Sequence, residues 1–132
     1  QAQKDPWLKP SDITIPTEAY STTVAMDHPY ISPLYGNLRG LPPILIQVGD
    51  CEILLSDSTR FAEKARIAGV DVELRVWQGM WHVWHMFYDM VPESQEAIEE
   101  MGAFARRHIG KKTIHPVFKT YRVDDPLERL LA

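Results

Sequence analysis

The sequence predicts an α/β fold built as β-α-β-α, two parallel strands with flanking helices behind a long irregular N-terminal segment. Three observations carry this. A short apolar run, Ile44-Leu45-Ile46-Gln47-Val48, sits between Pro43 and Gly49. Apolar residues then recur at helical spacing up to Gly69, and an alternating apolar–polar run, Val70 to Val76, follows. A strand, a helix and a strand in so short a length form a crossover unit, which makes the strands parallel and the crossover right-handed.

Residues 1–43 carry prolines at 6, 10, 16, 29, 33, 42 and 43. Proline removes a backbone donor and biases its predecessor towards extended geometry, so this lead-in is predicted to be irregular apart from one short helix at Thr17–Thr23. Forty such residues suit a segment draped over another surface better than a free-standing unit. The run at 44–48 is rich in β-branched residues and reads as a strand buried on both faces. Ser56, Asp57 and Ser58 offer N-cap side chains, Phe61, Ala65 and Ala68 repeat at helical spacing, and Gly69 suits a left-handed C-terminal residue. A helix over 57–68 follows. Alternation across 70–76 gives a second strand with one wetter face, ended by Gln78-Gly79. A last helix fits 93–107, with Ala97, Ile98, Met101, Phe104 and Ala105 as its apolar stripe. Glu93 and Glu96 in its first turn and Arg106 and Arg107 in its last suit the helix dipole. The tail, 111–132, is polar, with a short helical turn at Pro126–Leu131. The whole chain therefore reads as part of one domain: lead-in 1–43, strand–helix–strand–loop–helix 44–110, tail 111–132. Two strands leave open edges that invite pairing, and small sheets need three or more strands for independent stability.

Composition narrows the function. The chain has 132 residues, 45% hydrophobic and 24% charged, with a net charge of −4, an ordinary balance for a soluble domain. An acidic balance argues against nucleic acid as a partner, and the basic cluster Arg106, Arg107, Lys111 and Lys112 lies at a helix end. No apolar run approaches the ~20 residues of a membrane span. The N-terminus lacks the apolar core of a signal peptide and an initiator Met, so processing, truncation or chain splitting is open. The single cysteine, Cys51, requires no oxidising compartment, and a cytoplasmic location is expected. A thiol nucleophile at Cys51 is the minor reading beside a small buried group.

The chemistry lies in Leu41-Pro42-Pro43-Ile44-Leu45-Ile46-Gln47-Val48-Gly49-Asp50-Cys51-Glu52-Ile53-Leu54-Leu55-Ser56-Asp57-Ser58, in Ala68-Gly69-Val70-Asp71-Val72-Glu73-Leu74-Arg75-Val76-Trp77, and in Gly79-Met80-Trp81-His82-Val83-Trp84. Together with Asp27-His28-Pro29-Tyr30-Ile31-Ser32-Pro33-Leu34, these segments resemble, in order and spacing, the bacterial hormone-sensitive-lipase family of α/β-hydrolases over about residues 5–109. The resemblance implies the C-terminal βαβα portion of an α/β-hydrolase sheet and a Ser-His-acid carboxylesterase. The family's acid follows the penultimate core strand and its histidine follows the last, and ligands gather at that sheet edge. The histidine matches His82. Many members carry an Asp thirty residues before the histidine, and here that register falls on Glu52. Asp50 and Asp57 are the fallbacks. Glu serves as the triad acid in some α/β-hydrolases.

The family's Gly-x-Ser-x-Gly elbow and Gly-rich oxyanion loop do not occur here; none of Ser11, Ser21, Ser32, Ser56, Ser58 and Ser94 has the flanking glycines. In the family both elements come upstream of this segment. The chain is expected to supply the acid and the histidine, and to be inactive alone, because losing one triad member costs ~10⁴-fold or more. The expected partners are a small-molecule ester, the serine-bearing remainder of the domain, or a second copy meeting it at the last strand and helix. The alternative is an inactive hydrolase-derived fragment that binds or dimerises. No cofactor is expected. A metal site at His82, His85 and Glu52 lacks zincin spacing. Trp84 and Met86 divide evenly between acyl pocket and core, and Trp81, Val83 and Phe87 favour core. His85 reads as structural or pocket-edge, His28, His108 and His115 as surface groups, and Asp57 as a helix cap.

Overall fold

The computed structural model of the protein describes residues 5–9, 11–12 and 24–109. The expected helix at Thr17–Thr23, the tail and its turn at Pro126–Leu131 lie outside the described residues. The elements are a 3-10 turn at Pro33–Tyr35, strand β1 (Ile44–Gly49), helix α1 (Leu55–Ile67), strand β2 (Val72–Trp77), a second 3-10 turn at Trp84–Phe87, and helix α2 (Pro92–Ile109). The strands pair in parallel, Ile44 opposite Val72 through Gly49 opposite Trp77. The fold is the α/β crossover that the spacing predicts.

Period-2 alternation sends the two faces of this sheet to different helices. Ile44, Ile46, Val72 and Leu74 pack on one side with Phe61, Ala62, Ala65 and Ala68 from and after α1, together with Leu38 and Val70. On the other side lies α2. The Gln47 side-chain N–H donates to the Ala97 carbonyl at 3.0 Å, Arg75 pairs with Glu100 at 3.6 Å, and Arg107 pairs with Glu73 at 2.6 Å. A second core of Met80, Trp84 and Ala97, flanked by Trp77, Trp81 and Val91, closes the far end.

Four expectations are corrected. Helix α1 starts at Leu55 after an N-cap Leu54 that makes no side-chain bond, so Ser56, Asp57 and Ser58 do not cap it. Asp57 instead pairs with Arg60 one turn on, exposed, at 3.4 Å. Strand β2 begins at Val72, not Val70. The Val70 N–H donates to the Ala65 carbonyl and the Gly69 N–H to the Arg66 carbonyl, with Gly69 at φ +84°. This pair of bonds closes the helix in a Schellman motif whose apolar residue after the glycine packs back on the helix. Val70 is buried for that reason, and it mimics the first position of an alternating strand. Strand β1 is not buried on both faces along its length: Ile44 to Gln47 are half-buried and only Val48 and Gly49 are buried, because two strands do not cover it. The stripe of α2 is narrower than predicted. Ala97 and Ser94 are buried, while Ile98 and Met101 stay 39% and 40% exposed, since a full helical stripe overhangs so narrow a sheet.

Candidate active site

The site is built where the two strands end. Gly49 closes β1, and its burial follows from the loop that crosses it: a Cβ there would lie 2.0 Å from the Met80 carbonyl oxygen and 2.5 Å from its carbon. Only glycine lets the chain after β2 pass this close. The Cys51 N–H donates to that same Met80 carbonyl at 3.0 Å, and the Asp50 N–H to the Trp77 carbonyl at 3.0 Å. Asp50 then reaches across with its side chain and accepts the Gly79 N–H at 2.7 Å and the Cys51 thiol at 3.3 Å. Its carboxylate staples the two loops together.

That close seam places Glu52 beneath His82. Glu52 is 5% exposed, so its carboxylate needs partners. One oxygen accepts the Gly49 N–H at 2.9 Å, and the other lies 3.3 Å from His82 Nδ1. A carboxylate acceptor puts the imidazole proton on Nδ1. Nε2 has no hydrogen-bond partner among the described residues, and the His82 side chain is 26% exposed. A buried carboxylate holding one nitrogen of a part-exposed imidazole can present the other nitrogen as a base. Of the three carboxylates considered, the structure brings Glu52 to His82. Asp50 faces Gly79, and Asp57 lies on α1.

The loop beyond His82 is held from inside. Val83 adopts φ 52°, ψ 33°, a left-handed conformation that a β-branched residue rarely takes and that marks strain. Trp84 is buried at 1%, and its carbonyl accepts the fully buried Ser94 hydroxyl at 2.6 Å. Trp84 thus faces the core, while Met86 is 67% exposed on the same turn. Trp81, Val83 and Phe87 are half-buried. His85 stacks on Trp84 at 3.9 Å between ring centroids, and its Nε2 lies 3.0 Å from Gln47 Oε1. Since the Gln47 nitrogen donates to Ala97 and Glu100, its oxygen is the acceptor and His85 donates. Burial pushes His85 below the usual histidine range, against the opposing pull of the Glu52 charge.

Two contributors escape sequence reasoning. Gln47 carried a signal, as the one polar residue in an apolar strand. Asp5 left none beyond preceding a proline. Its Oδ1 accepts the Trp7 and Leu8 N–H groups at 2.8 and 2.9 Å, and its Oδ2 accepts the N–H of Ile53 at 3.1 Å. His28 and His108 are exposed, and His115 lies outside the described residues. Among the described residues no three metal-ligating side chains converge, and no helix is long and apolar enough to cross a membrane.

Comparison with known proteins agrees with this architecture. The chain is 40% identical over 104 residues to an acetyl-hydrolase of Streptomyces hygroscopicus, covering 79% of this chain and 35% of that protein. It is 48% identical over 77 residues to an esterase of Acinetobacter venetianus, covering 58% of this chain and 25% of that one. The crystal structure of an esterase from the bacterial hormone-sensitive lipase family superposes with a TM-score of 0.80 at 40% identity, over 83% of this chain and 37% of that one. The chain thus spans between a quarter and little more than a third of the length of these proteins. The α/β hydrolase fold family matches residues 1–86, and with its crossover, its seam and its bacterial hormone-sensitive-lipase neighbours the chain belongs to that family.

Proposed function

We propose that this chain supplies the acid and the base of a Ser-His-acid carboxylic ester hydrolase, Glu52 as the acid and His82 as the base. One observation carries the reading: Glu52, buried and fixed by the Gly49 N–H, lies 3.3 Å from His82 Nδ1 while His82 Nε2 is left without a partner among the described residues. The separation is long, and catalytic hydrogen bonds of this kind tighten in the substrate complex. Nε2 would take the proton of a serine hydroxyl as that oxygen attacks the ester carbonyl, and would return it to the leaving alcohol. Glu52 would stabilise the imidazolium between these steps. No Gly-x-Ser-x-Gly elbow occurs in these 132 residues, so in this reading the serine and the oxyanion donors would come from another polypeptide segment. A small-molecule ester is the substrate, and the acetyl-hydrolase relative makes short acyl chains the first to try. Met86, exposed on the His82 loop, suits the acyl pocket better than the buried Trp84.

Hydrolysis of p-nitrophenyl acetate tests this. The chain alone should show background rates. Mixed with a serine-bearing N-terminal fragment of a relative, it should gain activity that His82→Ala removes. A mixture that stays inactive, or one indifferent to His82, sinks the reading. The second reading, an inactive piece that works by association, draws on the edges of a two-stranded sheet, which pair with no further strand among the described residues. It predicts specific self-association on sedimentation and no rescue by the serine-bearing fragment.

A further inference from the structure

The segment at Asp5–Lys9 is far in sequence from both site loops, yet it touches each of them. Asp5 spans 48 residues to accept the N–H of Ile53, the peptide that directly follows Glu52. Trp7 sets its ring against Phe87, centroids 5.7 Å apart at 75°, and Phe87 in turn meets Trp81 at 5.8 Å and 61°. Trp81 is the residue before His82. One end of the segment therefore holds the turn that carries the acid, and the other leans on the loop that carries the histidine. Asp5 also sits close enough to His82 for their charges to interact.

Resting on the Glu52–His82 reading, we propose that Asp5 is a positioning residue of the site, its carboxylate tying the Glu52 turn while Trp7 braces the His82 loop, so that the segment straps acid and base into register. Three N–H groups converge on this one carboxylate, and bonds to an ionised acceptor are roughly twice as strong as neutral ones. The two bonds to Trp7 and Leu8 preorganise the local turn, and the third connects it to the site. Losing only that third bond would free the peptide after Glu52. The carboxylate would then drift from Nδ1, and the imidazole would no longer be held in a single tautomer.

The test reads that tautomer in the full chain by nitrogen-15 shifts of the histidine side chains at about pH 8.5, where an ordinary imidazole is neutral. Wild type should show His82 with its proton on Nδ1. Asp5→Ser keeps a short acceptor for the Trp7 and Leu8 N–H groups but cannot reach Ile53, and Asp5→Asn removes the charge. Both should move His82 towards mixed tautomers, with the β1–β2 amide signals intact and the His85 Nε2 proton, held by Gln47, unshifted. Asp5→Glu should restore part of the Nδ1 signal. An unchanged His82 tautomer in both variants overturns the proposal. So does loss of the strand amide pattern in both, which would make Asp5 a folding element only. Glu52→Gln separates the parent reading: if that variant leaves the His82 signal as in wild type, the Glu52–His82 pair itself is wrong, whatever Asp5 does.

Discussion

Two single residues near the site are held away from their ordinary titration ranges, and both shifts make the protein acid-sensitive. Burial lowers His85. The folded state then binds fewer protons than the unfolded chain, so this contribution to stability is present above the ordinary histidine value of 6.5 and is lost as pH falls below it. Asp5 is lowered too: partial burial works the other way, but the N–H groups of Leu8, Trp7 and Ile53 outweigh it, helped by His82. Its contribution is present above the ordinary aspartate value, about 3.9, and is lost as pH falls further. Urea midpoints measured against pH should show two descending steps. His85→Gln should remove the upper one and Asp5→Asn the lower. A single buried hydroxyl gives a sharper stability test. Ser94 donates to the Trp84 carbonyl with both groups sealed from water, so Ser94→Ala should cost about 1–2 kcal/mol in denaturant unfolding. The nearness of His82 to Glu52, 3.3 Å in the structure, was legible in the sequence because a family pattern fixes their interval. Asp57 was misread because a Ser-Asp-Ser run looks like a cap wherever a helix begins. Nothing local distinguishes a cap from a first turn when the chain already enters the helix from a tight preceding turn.

Among the elements, the site depends on how closely the chain after β2 presses on the end of β1. Gly49 permits that approach. Gly49→Ala should destabilise the chain by roughly 3 kcal/mol, as overpacking against backbone with no flexible end to yield does. Because the same seam carries Cys51 and Met80, the Glu52–His82 signal in nitrogen-15 spectra should be lost before the β1–β2 amide pattern is. A variant as stable as wild type would refute the close approach. The order and type of elements were legible because their periods differ, 2 for the strands and 3.6 for the helices. Their ends were not. Val70 is apolar for the sake of a helix terminus, and the sequence pattern cannot tell that burial from the burial of a strand. The turn at Trp84–Phe87 was likewise hidden, since its residues answer to the aromatic rings that surround Trp84 and not to a local period.

At the scale of the molecule, the described residues form two small cores on opposite faces of a two-stranded sheet. Ile98, Met101, Met86 and Met90 remain well exposed, and Leu45, Gln47, His85, Met101 and Phe104 line an open groove between β1 and α2. Apolar surface of this extent on so small a unit favours association. Sedimentation should show the isolated chain self-associating, and a serine-bearing fragment of a relative should suppress this as it binds. The sequence showed the openness, through the count of strands, but not which face of α2 would overhang. The narrow sheet decides that, and period alone cannot.

If Glu52 and His82 act as one unit, the pair should work inside a complete hydrolase. Grafting residues 44–109 into the acetyl-hydrolase relative, in place of its own matching segment, puts this to the test through kcat/KM for p-nitrophenyl acetate in a double-variant cycle. The graft should be active. Glu52→Gln should lose ~10⁴-fold, His82→Ala ~10⁴-fold or more, and the double variant should be no worse than His82→Ala, as in other triads whose members work together. An active graft in which Glu52→Gln keeps the parent rate, or in which the two losses multiply, would contradict a shared role.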